Sequence, residues 1–381
     1  MSSNSFSLEI QKLAKSEVQW IKLLPADPRK YLLESNESFT VYRTLTDLLN
    51  LSSDHPDVIN AHQEVLEDPQ VEQLLNNLSD WENNFVKAHN RADYLPNQLW
   101  LLLDWGVNIN DDPRMKNAID KILDHQDEQL GQFLAYIEAY DRKTKTKYPM
   151  WSSALCDHNF IVSVLLLAGL KDDERVKSGF NRMSELLKKT TQGWGWKCEP
   201  WLYYKRRGPG RVNDVCPMIV ADALRGYWIL DDKDWPEHLI ETGKTLLSCW
   251  MNRSIHKPYM FGHGKNFRLP RAPFFWYNIG VILDATSHYP ELIKTQAFKE
   301  LVAVSLIEFP INGKFIPKSI YMYFKNYSFG QKKEPSPWMT LFLSRIYKRA
   351  VDADPKIVES INKIDGKSLK GSKGGDKYKN K

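Results

Sequence analysis

The sequence predicts an all-α fold, an (α/α)6 toroid in which six helical hairpins follow one another around a ring. Two observations predict it. A turn motif recurs with a nearly constant period, and helices that are apolar almost all round alternate with helices that have a single apolar face. The composition agrees, because 42% hydrophobic and 26% charged residues in a chain of 381 are typical of a globular protein.

The recurring turn is acidic and separates two predicted helices. It reads Ser53-Asp54-His55-Pro56, Asn110-Asp111-Asp112-Pro113, Lys171-Asp172-Asp173-Glu174, Leu230-Asp231-Asp232-Lys233 and, in a divergent form, Ser287-His288-Tyr289-Pro290. Counted at positions 54, 112, 173, 232 and 289, the steps are 58, 61, 59 and 57 residues, a period of about 59. An aspartate before a helix accepts hydrogen bonds from its first N–H groups and favours its positive end. We therefore expect these aspartates to cap the helices that follow.

The helices on the two sides of each turn differ in their apolar pattern. After the third turn, Val176, Phe180, Met183 and Leu187 lie at i, i+4, i+7 and i+11, which predicts one buried face and an outer position. Before the turns, residues 160–170 and 219–230 are apolar almost all round, which predicts an inner position. The expected inner helices are Glu37–Asn50, Asn97–Val107, Ser153–Leu170, Asp214–Leu230, Pro273–Ser287 and Pro337–Ala350, and the last outer helix is Asp354–Ile364. An open solenoid of the same hairpins is the alternative.

A glutamine, a glycine and a tryptophan follow the third outer helix in the run Gln192-Gly193-Trp194-Gly195-Trp196. This run resembles the QW-type repeat of squalene cyclases. The order of Cys156, residues 172–176, residues 193–198 and Cys216 is similar to that in prenyltransferase/squalene-cyclase-like repeat proteins of the terpenoid cyclase and protein prenyltransferase superfamily. Later runs at 273–277 and 335–341 extend the resemblance, which covers about residues 37–350. It implies a toroid with an isoprenoid or other apolar ligand in its central cavity.

The catalytic groups of these relatives are not matched. The DxDD acid motif of class II cyclases would fall at Asp231-Asp232-Lys233-Asp234, where lysine takes the third place and the string lies in a turn. The Asp, Cys and His that hold zinc in protein prenyltransferases are not found in the expected order. Asp157, His158 and Asp214 are candidates for a catalytic group facing the cavity. No pair of opposed carboxylates, as a glycosidase would need, is evident.

Three cysteines predict a zinc site at one end of the ring. Cys156 lies near the start of the third inner helix, Cys216 lies equivalently in the fourth, and Cys198 lies in the loop between them. A Cys3His set forms a closed tetrahedral zinc site. The repeat predicts His256 as the fourth ligand, because it occupies the loop of the next unit that corresponds to the loop of Cys198.

Two other histidines, His263 and His158, are alternative fourth ligands. The cysteines could instead pack as small apolar residues, which is common for free cysteine. Cys249, which lies between apolar residues of the fourth outer helix, is expected to be core.

Two cationic loops and an aromatic pair form the predicted ligand site. Residues 201–211 carry Arg206, Arg207 and Arg211, residues 262–271 carry Arg268 and Arg271, and Trp276 and Tyr277 begin the fifth inner helix. Arginines bind diphosphates or carboxylates through paired hydrogen bonds, and aromatic faces suit an apolar or cationic group. The sequence therefore predicts an apolar ligand with an anionic head. Solvated loops and aromatic core packing are the alternatives.

The charge distribution opposes a role in specific nucleic-acid binding. Residues 366–381 carry six lysines and one aspartate, which equals the whole net charge of +5. We expect a single toroid domain over residues 1–365 and a disordered tail over 366–381. No apolar run reaches the length of a transmembrane helix, and no secretory signal is evident, so a cytoplasmic location is expected. The two functions that remain are an isoprenoid-type enzyme and a non-catalytic binding or scaffold protein with a structural zinc.

Overall fold

The computed structural model describes residues 6–78, 91–141, 143–152, 155–197, 213–253, 265–268, 271–276, 278–307 and 312–370, which are mostly helical. The helices are α1 (Leu8–Leu13), α2 (Arg29–Leu33), α3 (Ser38–Arg43), α4 (Pro56–Leu66), α5 (Pro69–Asn77), α6 (Leu95–Trp105), α7 (Pro113–Leu123), α8 (Leu155–Leu167), α9 (Glu174–Leu186), α10 (Pro217–Tyr227), α11 (Leu239–Met251), α12 (Lys265–Arg268), α13 (Ile279–Thr286), α14 (Pro290–Ile293), α15 (Gln296–Leu306), α16 (Pro337–Ala353) and α17 (Ile357–Asn362). A π-helical turn, Thr44–Leu48, continues α3. None of the helices in these ranges is both long and apolar enough to span a bilayer.

All six expected hairpins correspond to pairs of helices: α3 with α4, α6 with α7, α8 with α9, α10 with α11, α13 with α15, and α16 with α17. The predicted difference in burial is also confirmed. Every residue of α10 and of α13 is buried. By contrast, α9 buries only Val176, Gly179, Phe180 and Met183, which form one stripe.

The first helices of the six pairs contact one another in chain order. α6 contacts α3 and α8, α10 contacts α8 and α13, and α16 contacts α13 and α3. The approach of α8 to α10 is close, because the Ser163 hydroxyl donates to the Asp222 carbonyl at 2.6 Å. A Cβ added at Gly226 would collide with Ser163, so glycine permits this spacing.

Ion pairs link the later turns of these helices. Arg345 of α16 donates to both carboxylate oxygens of Asp104 in α6 at 3.0 Å, and also to Asp47 at 3.1 Å. Asp284 of α13 accepts from Arg225 of α10 at 3.0 Å and from Arg349 of α16 at 2.6 Å. Burial opposes ionisation of Asp284, but the neighbouring cations hold its pKa well below its usual value. These charges therefore fix helices that are distant in the chain.

In two of the acidic turns an aspartate caps the following helix, as predicted. In two others the predicted aspartate does not cap an α-helix. Asp112 and Asp173 accept from the N–H two residues further on, as expected at the starts of α7 and α9. At the start of α4 the capping residue is His55, not Asp54. In the fourth unit Asp232 begins a short 3-10 helix instead of an α-helix.

The late start of α11 has a local cause. Trp235 is extended, as a residue before proline prefers to be, so the chain cannot continue from the 3-10 helix into an α-helix. The outer helix of the fourth unit therefore begins only at Leu239.

Within the described residues, the strands form three two-stranded sheets. β1 (Ala135–Tyr140) pairs antiparallel with β2 (Lys147–Ser152), β3 (Lys188–Lys189) pairs antiparallel with β4 (Trp194–Gly195), and β5 (Arg271–Ala272) pairs parallel with β6 (Ser319–Ile320). The β1–β2 hairpin, inserted between α7 and α8, was not predicted. In the lysine-rich tail, the structure describes residues 366–370. Leu369 packs against the core, and residues 371–381 lie outside the described residues.

The carboxylate of Glu37 joins the start of α3 to the start of α16. It accepts from the Thr40 hydroxyl at 2.6 Å, from the Ser328 hydroxyl at 2.9 Å and from the Trp338 N–H at 3.0 Å. Burial raises the pKa of Glu37 to about 7; the three hydrogen bonds oppose this shift and nearby Asp68 adds to it.

This buried acid predicts a pH dependence of stability. From about pH 4.5 to 7 the folded protein keeps a proton on Glu37 that the unfolded chain has released. The free energy of unfolding should therefore fall by about 3 kcal/mol as pH rises through this interval. In urea titrations, Glu37→Gln should lose this component. Glu34→Gln, an exposed control, should follow the wild type; parallel profiles for wild type and Glu37→Gln would contradict the assignment.

Candidate functional site

A small cavity lies where the N-terminal ends of α6, α8 and α10 meet the segment before α13. Its lining residues are Tyr94, Asn97, Cys156, Asp157, Phe160, Met218, Asp222, Phe275 and Trp276. These helices pack side by side, so the side chains of their first turns converge. The cavity volume is about 20 Å³, which is room for one group of the size of water.

A hydrogen bond between Tyr94 and Asp157 orients one side of the cavity. The Tyr94 hydroxyl donates to Asp157 Oδ1 at 3.0 Å. Burial raises the pKa of Tyr94 well above its usual value, and the nearby Asp157, Cys156 and Asp222 raise it further. Tyr94 therefore stays protonated at neutral pH and acts as a donor.

Two aromatic residues of the cavity lining, Phe160 and Phe275, pack against neighbouring aromatic rings. Phe160 stacks on Trp100 with ring centroids 5.9 Å apart, and the Arg225 guanidinium lies 3.7 Å from the Trp100 ring centre. The ring centroid of Phe275, another lining residue, lies 5.8 Å from that of Tyr321 and 5.5 Å from that of Phe324. Packing from several elements therefore fixes the cavity's shape.

Of the three catalytic candidates, Asp157 lines the cavity. His158 points elsewhere, since adjacent residues of a helix differ in direction by about 100°. Its Nδ1 accepts from the Phe133 N–H at 3.0 Å, and burial lowers its pKa to about 3. Asp214 lies before α10 and accepts from the Gln192 side chain at 2.9 Å, outside the cavity lining.

The predicted metal ligands fall partly within the described residues. Cys156 lines the cavity, and Cys216, at the start of α10, is buried and donates its N–H to the Trp196 carbonyl at 2.7 Å. Cys198, His256 and His263 lie outside the described residues. Within the described ranges, no three or more His, Cys, Asp or Glu side chains are grouped as a metal site would require.

Cys249 is buried in α11, as expected for a core residue, and burial raises its pKa to about 12. Its thiol is therefore un-ionised at neutral pH and suits packing better than metal binding.

The Gln-Gly-Trp run braces the chain just before α10. The Gln192 side chain donates to Asp214 and accepts from the Val215 N–H at 2.8 Å. Trp196 is buried and donates to the Met183 carbonyl at 2.9 Å. Lys197 pairs with Val215 in an isolated antiparallel bridge. The run therefore holds the residue before Cys198 beside the residue before Cys216.

Of the predicted ligand-binding residues, one lines the cavity, two lie elsewhere in the described structure, and the others lie outside the described residues. Trp276 lines the cavity, whereas Arg206, Arg207, Arg211 and Tyr277 lie outside the described residues. Arg268 ends α12, and the Arg271 guanidinium lies 4.8 Å from the centre of the Tyr321 ring. Neither of these two arginines lines the cavity.

Sequence reasoning missed Tyr94, Asn97 and Asp222. Of these three residues, Asp222 is the one that the sequence could have indicated most readily. It is the one acidic residue in Pro217–Tyr227, a helix otherwise rich in apolar residues. Asp222 lines the same cavity as Asp157, a second carboxylate that the sequence interpretation did not place there.

Comparisons with protein-family models, with curated proteins and with solved structures each found no match for this chain. The resemblance to terpenoid cyclases and prenyltransferases therefore rests on the sequence motifs alone.

The Tyr94–Asp157 hydrogen bond can be tested directly. Tyr94→Phe keeps the ring but removes the donor to a buried carboxylate, which should lower the free energy of unfolding by about 2 kcal/mol in urea titrations. Tyr148→Phe, on the exposed β2 strand, should change it by less than about 0.5 kcal/mol. Equal small effects of the two substitutions would show that the bond is not formed.

Proposed function

We propose that this protein is an (α/α)6 toroid that binds a small molecule in the cavity at one end of the ring and holds a zinc ion beside it. The order of helix contacts supports ring closure. It runs α3–α6–α8–α10–α13–α16 and returns from α16 to α3. In an open solenoid the first and last hairpins would lie apart.

The observation that carries the small-molecule role is the cavity lining. Two buried carboxylates, Asp157 and Asp222, face the same space as the rings of Phe160, Phe275 and Trp276. Concave sites that combine apolar walls with a few convergent polar groups are typical of ligand binding.

Cavity size favours a binding protein over an isoprenoid-type enzyme. Pockets for whole organic ligands commonly measure about 300–1,000 Å³. The space here is about 20 Å³, so it accommodates the end of a ligand and not an isoprenoid chain. The isoprenoid-type enzyme is the second candidate, because aromatic residues of the lining suit an apolar substrate. Its anionic head would then be bound by Arg206, Arg207 and Arg211, since the described lining contains no arginine.

The zinc proposal uses Cys156, Cys198, Cys216 and His256. Cys156 and Cys216 belong to the starts of two helices that pack against each other. Lys197 pairs with Val215, and chain connectivity limits the Cα of Cys198 to about 3.8 Å from that of Lys197. Three thiolates and an imidazole would satisfy zinc fully, so the ion would be structural. His263 and His158 are the alternative fourth ligands; the Phe133 N–H occupies Nδ1 of His158 and leaves its Nε2.

Native mass spectrometry of the purified full chain tests the metal. We expect about one zinc per chain, lost in Cys216→Ala because a thiolate ligand is removed. Cys249→Ala, a buried cysteine outside the site, should keep the metal. Zinc retained by Cys156→Ala and by Cys216→Ala would reject the site.

The same spectra test the ligand. A co-purified small molecule should add a discrete mass to the folded protein, and Asp222→Asn should reduce its occupancy. Asp231→Asn, an exposed acid in the fourth turn, should leave the occupancy unchanged. A chain that carries zinc but no small molecule under any condition would favour a scaffold role instead.

A further inference from the structure

A segment of irregular structure lies against the starts of α3 and α5, just before the last hairpin. Residues 321–335, here called the strap, connect β6 to α16 and contain two 3-10 turns but no α-helix or strand. The strap's Phe324, Tyr327 and Phe329 are buried. Tyr327 and Phe329 pack on Trp105 of α6, with ring centroids 6.5 and 6.3 Å apart. The strap therefore covers part of the apolar core without belonging to the helical repeat.

Ser328 attaches the strap to Glu37 at the start of α3 and to Gln70 of α5. Its hydroxyl oxygen lies 2.9 Å from Glu37 Oε1 and 3.0 Å from Gln70 Oε1, and its N–H donates to the same Gln70 oxygen at 2.8 Å. The bond from the N–H identifies that Gln70 atom as the amide oxygen, which is an acceptor. One hydroxyl carries one proton, so Ser328 cannot donate to Glu37 and to Gln70 at the same time.

A proton on Glu37 satisfies all of these atoms. The protonated Oε1 donates to the Ser328 hydroxyl oxygen, and the Ser328 hydroxyl then donates to Gln70. Glu37 Oε2 remains an acceptor for the Trp338 N–H at 3.0 Å and for the Thr40 hydroxyl at 2.6 Å. The neutral acid therefore joins α3, the strap and α5 in one chain of hydrogen bonds.

Loss of this proton places a negative charge in a buried position. Glu37 is 3% exposed, and nearby Asp68 is a second acid that raises the pKa of Glu37. Burial, Glu37 and Glu334 of the strap raise the pKa of Tyr31 in α2, so this neighbour stays neutral, and the Lys314 ammonium lies 4.3 Å from the centre of its ring. Beyond its hydrogen bonds, water is the remaining source of stabilisation for a Glu37 carboxylate, and burial excludes water.

The strap is the element next to Glu37 that can move aside most readily. α3 and α16 are fixed to each other by the buried ion pair of Arg345, whereas the strap has no α-helix or long strand of its own. The Tyr327 hydroxyl and the Trp105 indole N–H are buried where the strap packs on α6, and neither has a hydrogen-bond partner among the described residues. Opening the strap would give water access to both groups and to the Glu37 carboxylate.

We propose that the strap is a pH-dependent lid, closed while Glu37 is neutral and linked through Ser328 to Gln70, and opened when Glu37 ionises. The strap also reaches the candidate site. Phe275, which lines the cavity, packs on Phe324 of the strap with ring centroids 5.5 Å apart, so opening would alter one side of the cavity. The lid itself does not depend on a ligand in that cavity.

The pH range of opening follows from the two forms of Glu37. With the strap closed, burial raises the pKa of Glu37 to about 7, and with the strap open we expect the ordinary value of 4.5. The closed form binds the proton more tightly, so it is favoured fully below pH 4.5 and loses this advantage as pH rises to about 7. The ratio of open to closed strap should therefore increase about fiftyfold between about pH 5 and about pH 7.5.

Hydrogen–deuterium exchange of the full chain, read by mass spectrometry as protection factors, tests the lid. Peptides from residues 321–335 should lose about fiftyfold in protection between about pH 5 and about pH 7.5. In Glu37→Gln the loss should be less than about threefold, because the neutral amide donates to Ser328 at every pH. Glu34→Gln, the exposed control, should follow the wild type. No pH effect in the wild type, or an equal effect in Glu37→Gln, would overturn the inference.

Exchange in low concentrations of urea separates a moving strap from unfolding of the whole chain. Opening of the strap exposes little surface, so its protection should depend on urea less than half as steeply as that of peptides from α10. Equal urea slopes would show that the strap opens only when the protein unfolds, and would overturn the lid.

The Gln70 end of the hydrogen-bond chain has its own test. Gln70→Leu removes the acceptor of the Ser328 hydroxyl and N–H, and it should lower protection of the strap at about pH 5 at least tenfold. Gln63→Leu, an exposed glutamine of α4, should leave this protection unchanged. Full protection of the strap in Gln70→Leu would contradict the link through Ser328.

Discussion

The meeting of α16 with α3 and α6 is the constraint on which the rest of the arrangement depends. Arg345 donates to Asp104 and Asp47, so one guanidinium joins the last hairpin to the first two. All three side chains are mostly buried, and removing one partner would leave an uncompensated charge. Burial opposes the ionisation of Asp47, but Arg43 and Arg345 lower its pKa and keep it charged.

In the proposed ring, the contacts between the inner helices also explain why the cavity lies at one end of the ring. The later turns of the inner helices are joined by ion pairs, and the Arg225 guanidinium stacks on Trp100, whose ring stacks on Phe160 of the cavity lining. At the other end of these helices, the N-terminal parts of α6, α8 and α10 converge on the cavity. Cys156 and Cys216 lie at the same helix starts, so a zinc ion there would brace the cavity rim.

The sequence predicted the hairpins well because their signals are local. Apolar periodicity and a 59-residue repeat locate the helices, and Asp112 and Asp173 cap the helices that follow them. The cavity was harder to predict, since Tyr94 and Asp222 are 128 residues apart and meet only through the packing of α6, α8 and α10. The β1–β2 hairpin was missed because it lies between an outer helix and the next inner helix, and the 61-residue step that contains it keeps the period of the repeat.

A double-mutant cycle on Arg345 and Asp104 tests ring closure most directly. We predict that Arg345→Met and Asp104→Asn are coupled by at least about 1 kcal/mol in the free energy of unfolding, because the pair is bidentate and largely buried. The matched cycle on Arg182 and Glu185, a more exposed pair within α9, should give less than about 0.5 kcal/mol. Additive effects at Arg345 and Asp104 would contradict the contact between the last hairpin and the second, and with it the closed ring.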